Sequence, residues 1–518
     1  MKQVISARAS GILLHVSSLP GPHGIGDIRH AYDFLDFLAR SGQSYWQILP
    51  LGPTGPLFGN SPYMSFSAFA GNPLFVSPEL MAAEGLLDRA DLASPDFSDY
   101  FVEFDRVIAW KEQLLAKGWQ RFRGARLSAD FAEFCAAAPW LMDYCLFMVL
   151  REKFAGAPWY DWPAPYRQAD RQALLLASSE LAERMDYFRF EQYLFHTQWQ
   201  RLREHARQKG VRIIGDLPIY VGMDSVDVWA NQRIFELHPT TRLPINIAGV
   251  PPDYFSSTGQ RWGNPLYRWG ARKGDVKKQL YDWWHARLAA TFSLVDVVRI
   301  DHFRGFEAFW SIPAEEETAI QGAWRKGPGL AFFQEMHQRL ENLPIIAEDL
   351  GVITPAVEAL RDELGYPGMK ILQFAFADDE HNPYLPFNYD QNCVVFTGTH
   401  DNDTTVGWYL DPEVPETAKH NMRRACNRDD LAVEDVHRQM IFLAMSSVAA
   451  LCIFPMQDVL GFGNDCRMNR PGTSGGNWAW RCAPQYFSPE VATWLREETR
   501  FFNRLPGAKK PAGEVEDQ

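Results

Sequence analysis

The sequence predicts a (β/α)8 barrel of the α/β class, and two observations lead to that fold. Eight short apolar runs, as expected of buried strands, begin near residues 11, 45, 211, 297, 344, 368, 393 and 450. Helical segments separate these runs, which is the arrangement of a barrel of parallel strands. An open doubly wound sheet is the alternative fold, and it is disfavoured because no G-x-G-x-x-G turn follows the first run.

The elements follow one another in the order that a barrel with insertions requires. Residues 11–16, 27–42 and 45–51 form a strand, a helix and a strand, the unit of a parallel sheet. A largely helical insertion over 52–186 delays the third strand, and a second insertion covers 221–274. We expect one barrel over residues 1–505 with no separate C-terminal β domain. Residues 506–518, with Lys509 and Lys510 in a Pro/Gly/Glu mix, are expected to form a disordered tail.

Composition excludes several classes of partner and compartment. The net charge of −13 argues against nucleic acid and anionic membranes as partners, because both need clustered cations. The most hydrophobic window, residues 440–456, is interrupted by Ser446, Ser447 and Pro455 and is too short to span a membrane comfortably. The seven cysteines form no CxxC pair, and the first residues lack a signal-peptide core. We expect a cytoplasmic protein, and the sequence leaves its oligomeric state open.

The fourth apolar run carries an R-x-D pair near its end. Arg299 and Asp301 share one face, because side chains alternate along a strand. A buried guanidinium on that face would keep the aspartate ionised, as a nucleophile requires. A purely structural ion pair would give the same pattern, and the pair by itself leaves both interpretations open.

Other polar side chains also fall where predicted strands end, and barrel active sites lie at those ends. Glu348 closes the strand after that of Asp301, so their carboxyls could lie about 5 Å apart, the spacing of retaining glycosidases. We expect the neighbouring Asp349 and the other carboxylates to raise the pKa of Glu348 and keep it an acid. Asp401 adds a third carboxylate and His400 a hydrogen-bonding ring. Metal ligation is disfavoured, because Arg299 would sit poorly beside a cation.

At these positions the sequence resembles a known family. IGDLPIYV (214–221), VRIDHFRGF (298–306), IIAEDLG (345–351) and TGTHDND (397–403) are similar to the four signature regions of 4-α-glucanotransferases, glycoside hydrolase family 77 of the α-amylase clan. The resemblance extends to GNSPYMSFSAFAGNP (59–73), PPDYFSSTGQRWGNPLY (251–267) and MNRPGTSGGNW (468–478). It therefore covers nearly the whole chain.

The resemblance implies an activity and a role for particular residues. Asp301 matches the nucleophile, Glu348 the general acid/base and Asp401 the transition-state stabiliser. Residues that match the donor-sugar subsite are Asp216, Arg299 and His400, with Tyr63 stacking on that sugar. Residues expected to hold the acceptor glucan are Tyr254, Phe255 and Trp262, on a loop that covers the cleft, and Phe374 at the end of the sixth strand. The implied substrates are α-1,4-glucans, with no metal and no organic cofactor.

Two other functions compete with glucan transfer. A retaining α-1,4-glucan hydrolase would share the three carboxylates and differ in how the acceptor side is closed. A glucan-binding protein on an inactive barrel is disfavoured, because the carboxylate set is intact. Donor length, the balance of linear and cyclic products, and a pathway in maltose, glycogen or starch metabolism are not fixed by the sequence.

Overall fold

The computed structural model describes residues 4–124, 129–252, 256–271, 274–473 and 475–507. Within them the strands are β1 (Ala9–Leu13), β2 (Tyr45–Gln47), β3 (Arg212–Pro218), β4 (Asn246–Val250), β5 (Gln260–Pro265), β6 (Val297–Asp301), β7 (Ala308–Pro313), β8 (Ala323–Lys326), β9 (Ile345–Ala347), β10 (Gly368–Ile371), β11 (Cys393–Phe396) and β12 (Leu451–Pro455).

The described residues also form α-helices, most of which lie between these strands in the chain. They are α1 (Ile28–Arg40), α2 (Pro78–Ala83), α3 (Phe104–Gly124), α4 (Ala129–Ala137), α5 (Leu141–Lys153), α6 (Ala164–Arg167), α7 (Arg171–Glu180), α8 (Ala182–Gln208), α9 (Val226–Ala230), α10 (Gly274–Leu294), α11 (Gly329–Arg339), α12 (Pro355–Glu363), α13 (Thr405–Leu410), α14 (Glu416–Ala425), α15 (Val436–Ser446), α16 (Met456–Leu460) and α17 (Pro489–Phe501).

Eight strands form a nearly closed parallel barrel in the order β10-β11-β12-β1-β2-β3-β6-β9. The gap between β9 and β10 is bridged by a hydrogen bond from the Ala347 amide to the Pro367 carbonyl, at 2.9 Å. These are the eight strands that the sequence predicts, so the predicted barrel is confirmed. Parallel strands are covered on both faces, which explains why each reads as a continuous apolar run.

Helix α1 illustrates how local signals set the barrel elements. Asp27 caps its first turn by accepting a hydrogen bond from the Arg29 amide at 3.0 Å. The face formed by Ala31, Phe34, Leu35 and Leu38 is buried against the barrel. Gly42 follows the helix with φ of +74°, a conformation that glycine adopts without strain.

A second, antiparallel sheet of order β5-β4-β7-β8 was not predicted from the sequence. Its strands are short, and the Gly, Pro and Asn residues around β4 and β5 are typical of loops. At Gly249 the pairing of β4 with β5 shifts register, and a Cβ there would lie 2.2 Å from the Gln260 carbonyl oxygen. Only pairing with β7, which follows the fourth barrel strand, fixes these segments as a sheet.

Helices α2 to α8 lie between β2 and β3 in the chain. Strands β4 and β5 lie in the 221–274 segment, whereas Tyr254 and Phe255 fall outside the described residues, as does the chain beyond residue 507. Among the described helices, none is by itself long and apolar enough to cross a membrane. Among the described helices, only α4 and α5 taken together are both long and apolar enough, and they meet at a bend of 93°.

Candidate active site

The barrel brings the predicted polar side chains to the C-terminal ends of neighbouring strands. Asp216 of β3 is paired in register with Arg299 of β6, and Ile300 of β6 with Ala347 of β9. The next positions along β6 and β9 are Asp301 and Glu348, and the Glu348 amide bonds to the Ile300 carbonyl at 3.0 Å. The side chains of Asp301 and Glu348 therefore start from the same level of two adjacent strands, whose backbones lie about 4.8 Å apart.

Arg299 lies between two carboxylates. Its Nη1 donates to both oxygens of Asp216, at 2.7 and 2.6 Å, and its Nη2 lies 3.0 Å from Asp301 Oδ1. Burial disfavours the guanidinium charge, but Asp216 and Asp301 outweigh burial and raise the pKa of Arg299 well above its usual value. The residue is 4% exposed, so the planar fork is held as a fixed cation beside Asp301.

The environment of Asp301 differs in one respect from the sequence-based expectation. Burial raises the pKa of Asp301 to about 6, and Asp216 and Asp401 add to this rise, while Arg299 opposes it. Arg299 therefore offsets only part of the cost of burial. At neutral pH the carboxylate is still mostly ionised, which is what the nucleophile hypothesis needs.

Glu348 has the higher pKa of the pair. Burial and the neighbouring Asp301 raise its pKa to about 7, against the effects of Arg299 and two backbone amides. Those amides belong to Leu350 and His302 and donate to Glu348 at 2.8 and 2.7 Å. The rise has the expected direction.

The cause of that rise corrects the sequence-based expectation, which gave Asp349 a part in it. Asp349 turns away from the site: its Oδ2 accepts from Arg361, and its Oδ1 accepts from the Met369 amide at 2.7 Å. Adjacent residues of an extended chain point to opposite faces. The carboxylate that acts on Glu348 is therefore Asp301, from the next strand.

The pKa of Asp401 is shifted downward, in the opposite direction to that of Glu348. Burial opposes its ionisation, but His400 and Asn469 hold the pKa of Asp401 well below its usual range. His400 Nε2 lies 3.3 Å from Oδ2, and Asn469 Nδ2 donates to Oδ1 at 2.6 Å. Burial is the largest single effect on His400 and lowers its pKa, but the charge and hydrogen bond of Asp401, with a contribution from Asp216, raise the pKa by more in total. Asp401 therefore resists protonation, whereas the raised pKa values of Asp301 and Glu348 make these two carboxyls easier to protonate.

Tyr63 joins this group from the 59–73 stretch. Its hydroxyl donates to Asp216 Oδ2 at 2.6 Å, and its ring stacks on His400 with centroids 5.0 Å apart and planes 15° apart. Trp478 tilts against both rings, at 5.7 and 6.0 Å. Tyr63, His400 and Trp478 form one aromatic wall beside the carboxylates.

The residues predicted to hold the acceptor are only partly described. The ring of Trp262, on β5, meets that of His302 at 89° with centroids 4.8 Å apart. Phe374 lies in a single 3-10 turn beyond β10, which ends at Ile371, and its ring packs edge-on against Tyr384 at 5.5 Å. The structure thus places Trp262 next to the residue that follows Asp301.

Three residues of the site were not singled out from the sequence: His302, Asn469 and Trp478. Asn469 and Trp478 belong to the 468–478 stretch, whose resemblance was noted without assigning roles. His302 and Trp478 also have left-handed backbones, with φ of 53° and 64°. Such conformations are uncommon for residues other than glycine and concentrate at functional sites.

Within the described parts of the chain, no group of three or more His, Cys, Asp or Glu side chains is arranged to hold a metal ion.

Comparison with known proteins identifies the family. The sequence profile of glycoside hydrolase family 77, described as 4-alpha-glucanotransferase, matches residues 14–486. The chain belongs to this family. It is 48% identical to the 4-alpha-glucanotransferase of Synechocystis over 98% of this chain and 99% of that one, and 47% identical to that of Thermus thermophilus over 96% and 99%.

Solved structures of the family agree with this assignment. The structure of an amylomaltase from Streptococcus agalactiae in complex with acarbose superimposes with a TM-score of 0.91 at 37% identity, covering 96% of this chain and 99% of that one. Family membership confirms the predicted enzyme class, a glycosyltransferase that acts by transglycosylation. The competing hydrolase hypothesis is not favoured.

Proposed function

We propose that this chain transfers α-1,4-glucan segments between malto-oligosaccharides or amylose by retaining double displacement. Asp301 is the nucleophile, Glu348 the general acid/base and Asp401 the carboxylate that stabilises the cationic transition state. The observation that carries this proposal is the register of β6 and β9, which puts Asp301 level with Glu348, together with the ion pair of Arg299 with Asp301. Two carboxyls at the same level of adjacent strands suit a covalent mechanism rather than direct attack by water.

The first step forms a glucosyl-enzyme ester. A carboxylate oxygen of Asp301 attacks the anomeric carbon as the bond to the leaving chain breaks, and Glu348 gives its proton to the leaving oxygen. Asp401 stays ionised beside the developing positive charge, because His400 and Asn469 depress its pKa. Asp216, Arg299, His400 and Tyr63 are proposed to bind the hydroxyls and one face of the donor sugar.

The second step is the reverse with a new sugar. Glu348, now a carboxylate, takes the proton of an acceptor 4-hydroxyl, whose oxygen attacks the anomeric carbon and releases Asp301. Transfer exceeds hydrolysis only if a sugar is held where water would otherwise react. We assign that task to Trp262, Tyr254, Phe255 and Phe374, with part of residues 221–274 covering the cleft. A long chain could supply its own acceptor end and yield cyclic glucans.

Incubation with maltotriose tests the proposal. We expect glucose together with a ladder of longer malto-oligosaccharides, with almost no increase in total reducing ends, because each transfer breaks one linkage and makes another. A steady increase in reducing ends without longer products would contradict transfer and support hydrolysis. A parallel preparation of the Asp301→Asn variant should be inactive. If it matched the wild type, the activity would come from a contaminant.

We further propose how the chain is organised and where it acts. Residues 1–505 act as one catalytic unit, and neither a metal nor an organic cofactor takes part, so we expect full activity in EDTA. A cytoplasmic location is supported by the seven cysteines, all of which have free thiols. The bound acarbose of the Streptococcus agalactiae relative supports a carbohydrate substrate for this chain as well.

A further inference from the structure

The loop that carries His400 and Asp401 begins and ends on the same buried carboxylate. Thr397 precedes this loop, directly after β11, and Thr405 follows it as the first residue of α13. Asp458, on α16, accepts from the Thr397 hydroxyl through Oδ2 at 2.5 Å and from the Thr405 amide through Oδ1 at 2.7 Å. One planar carboxylate therefore fixes the distance between the two ends of the loop.

Asp458 acts from behind the loop rather than from the cleft. Its side chain belongs to a residue that is 1% exposed, and Thr397 and Thr405 are fully buried. A sugar in the cleft cannot reach this carboxylate, so Asp458 does not contact substrate. Charge-assisted hydrogen bonds are short and directional, and in a buried setting they hold both partners closely.

A second contact holds the middle of the same loop. Nη2 of Arg467 donates to the Asp401 carbonyl at 2.6 Å, and its Nε donates to the Asn469 carbonyl at 2.7 Å. Arg467 thereby sets the backbone of Asp401 against that of Asn469, whose side chain bonds to the Asp401 carboxylate. Because this contact lies at the middle of the loop, the position of the two ends still depends on Asp458.

We propose that Asp458 is a positioning residue for Asp401, the carboxylate that stabilises the transition state. By holding both ends of the 398–404 loop, it keeps the Asp401 carboxylate where positive charge develops on the donor sugar. Displacement of a preorganised group by about 1 Å can lower a rate about a hundredfold. This inference rests on the proposed function and extends it to a residue outside the cleft.

Three substitutions separate the hydrogen bonds from the bulk of the side chain. Asp458→Ala removes both acceptors. Asp458→Asn preserves both links, because its oxygen accepts from the Thr405 amide while its NH2 group donates to the Thr397 hydroxyl. Thr397→Val removes one link with little change of shape, so it remains a test even if the alanine variant fails to fold. The matched control is Asp27→Ala, because Asp27 is also fully buried and accepts from the first turn of α1.

Steady-state release of glucose from maltotriose is the first measurement. We expect Asp458→Ala to lower kcat about a hundredfold and to raise KM by less than about threefold, because Asp401 acts mainly in the transition state. Thr397→Val should lower kcat about tenfold, whereas Asp458→Asn should stay within about fivefold of wild type. Asp27→Ala should lower the melting temperature and leave kcat unchanged. Wild-type kcat in Asp458→Ala or Thr397→Val, or an asparagine variant as slow as the alanine variant, would overturn the proposal.

Dependence on Asp401 is the second measurement, and a merely structural role would not show it. In an Asp401→Asn background the charge that Asp458 positions is gone, so Asp458→Ala should cost less than about threefold instead of about a hundredfold. The donor for this comparison is α-maltosyl fluoride, because fluoride leaves readily and keeps slow variants measurable. Losses that multiply in the double variant would overturn the proposal.

The same preparations distinguish this inference from the proposed function. If wild-type protein makes no oligosaccharide ladder from maltotriose, the proposed function itself fails. If the ladder forms but Asp458→Ala and Thr397→Val are as active as Asp27→Ala, only the positioning role of Asp458 fails.

Discussion

The two sides of the cleft are built differently. On the proposed donor side the polar groups bind one another: Arg299 joins Asp216 to Asp301, and Asn469 and His400 fix Asp401. On the proposed acceptor side Trp262 packs edge-on against the ring of His302, and its indole N–H donates to Gln260 Oε1 at 3.1 Å. A buried guanidinium held between two carboxylates has little freedom, whereas ring contacts can adjust. The contrast suits the proposed transfer, in which one sugar is held for reaction and a second glucan is bound as the acceptor.

The largest effect should come from the two reacting carboxyls. We expect Asp301→Asn and Glu348→Gln each to reduce transfer by about four to six orders of magnitude, as removal of groups that act as a unit does in other enzymes. Release of glucose from maltotriose measures the effect. Asp379→Asn and Glu358→Gln, on exposed positions, serve as controls. Activity within tenfold of wild type in either active-site variant would remove that residue from the mechanism.

Arg299→Lys tests the donor side alone. A single ammonium cannot reproduce the contacts that the fork makes with Asp216 and Asp301, so we expect the first chemical step to slow about a hundredfold. Transfer and hydrolysis should fall together, since both need the same intermediate. Arg361→Lys is the matched control, because Arg361 pairs with Asp349 outside the site. A change in the partition between products would contradict the assignment of Arg299 to the donor side.

Trp262→Ala tests the acceptor side. We expect the formation of longer oligosaccharides to fall about tenfold, which corresponds to ~1.4 kcal/mol, while donor cleavage changes little. Glucose release and chain elongation, measured in the same reaction, give the two rates. Phe501→Ala, at an exposed position on α17, is the control. Equal losses of both rates would show that the two sides are not separable in this way.

The rate of transfer should depend on pH as a bell-shaped curve. Between about pH 6 and pH 7 the rate should change only a few-fold, because the two pKa values are close together. The rate rises as pH passes about 6, because Asp301 must lose its proton, and falls as pH passes about 7, because Glu348 must keep one. Initial rates between pH 4.5 and 9 measure the two limbs. A rate that is flat from pH 5 to pH 9 would contradict the assigned protonation states.

The smallest effect concerns stability. The pKa of Glu348 is raised by folding to about 7, so between about pH 4.3 and 7 the unfolded chain releases a proton that the folded chain retains. Stability therefore falls as pH rises through this window. Glu348→Gln abolishes that loss and should stabilise the protein by about 1–3 kcal/mol at pH 8, with no gain at pH 4. Urea titrations at both pH values test this, and equal effects at the two would contradict it.

The contrast between the two sheets explains what could be predicted of the fold. The barrel strands are buried on both faces, so each leaves a continuous apolar run that is visible in the sequence. Strands β4 and β5 lie among Gly, Pro and Asn residues and gain their pairing from β7, which is distant in sequence. Their structure depends on that partner, and a local pattern does not reveal it.

The site residues likewise fall into those whose proximity the sequence could predict and those whose proximity it could not. Asp301 and Glu348 could be placed together because adjacent strands impose a spacing on whatever follows them. Asn469 could not be paired with Asp401, because that contact joins loops 68 residues apart in sequence.

The sequence by itself determined the barrel, the order of its strands and the polar residues at their ends, since these follow from side-chain periodicity and burial. Tertiary structure alone decided which carboxyl raises the pKa of Glu348, how far Arg299 offsets the burial of Asp301, and that the left-handed His302 contacts both Trp262 and Glu348. Burial, distance and direction set those electrostatic and packing effects, and they exist only once separate strands and loops have been brought together.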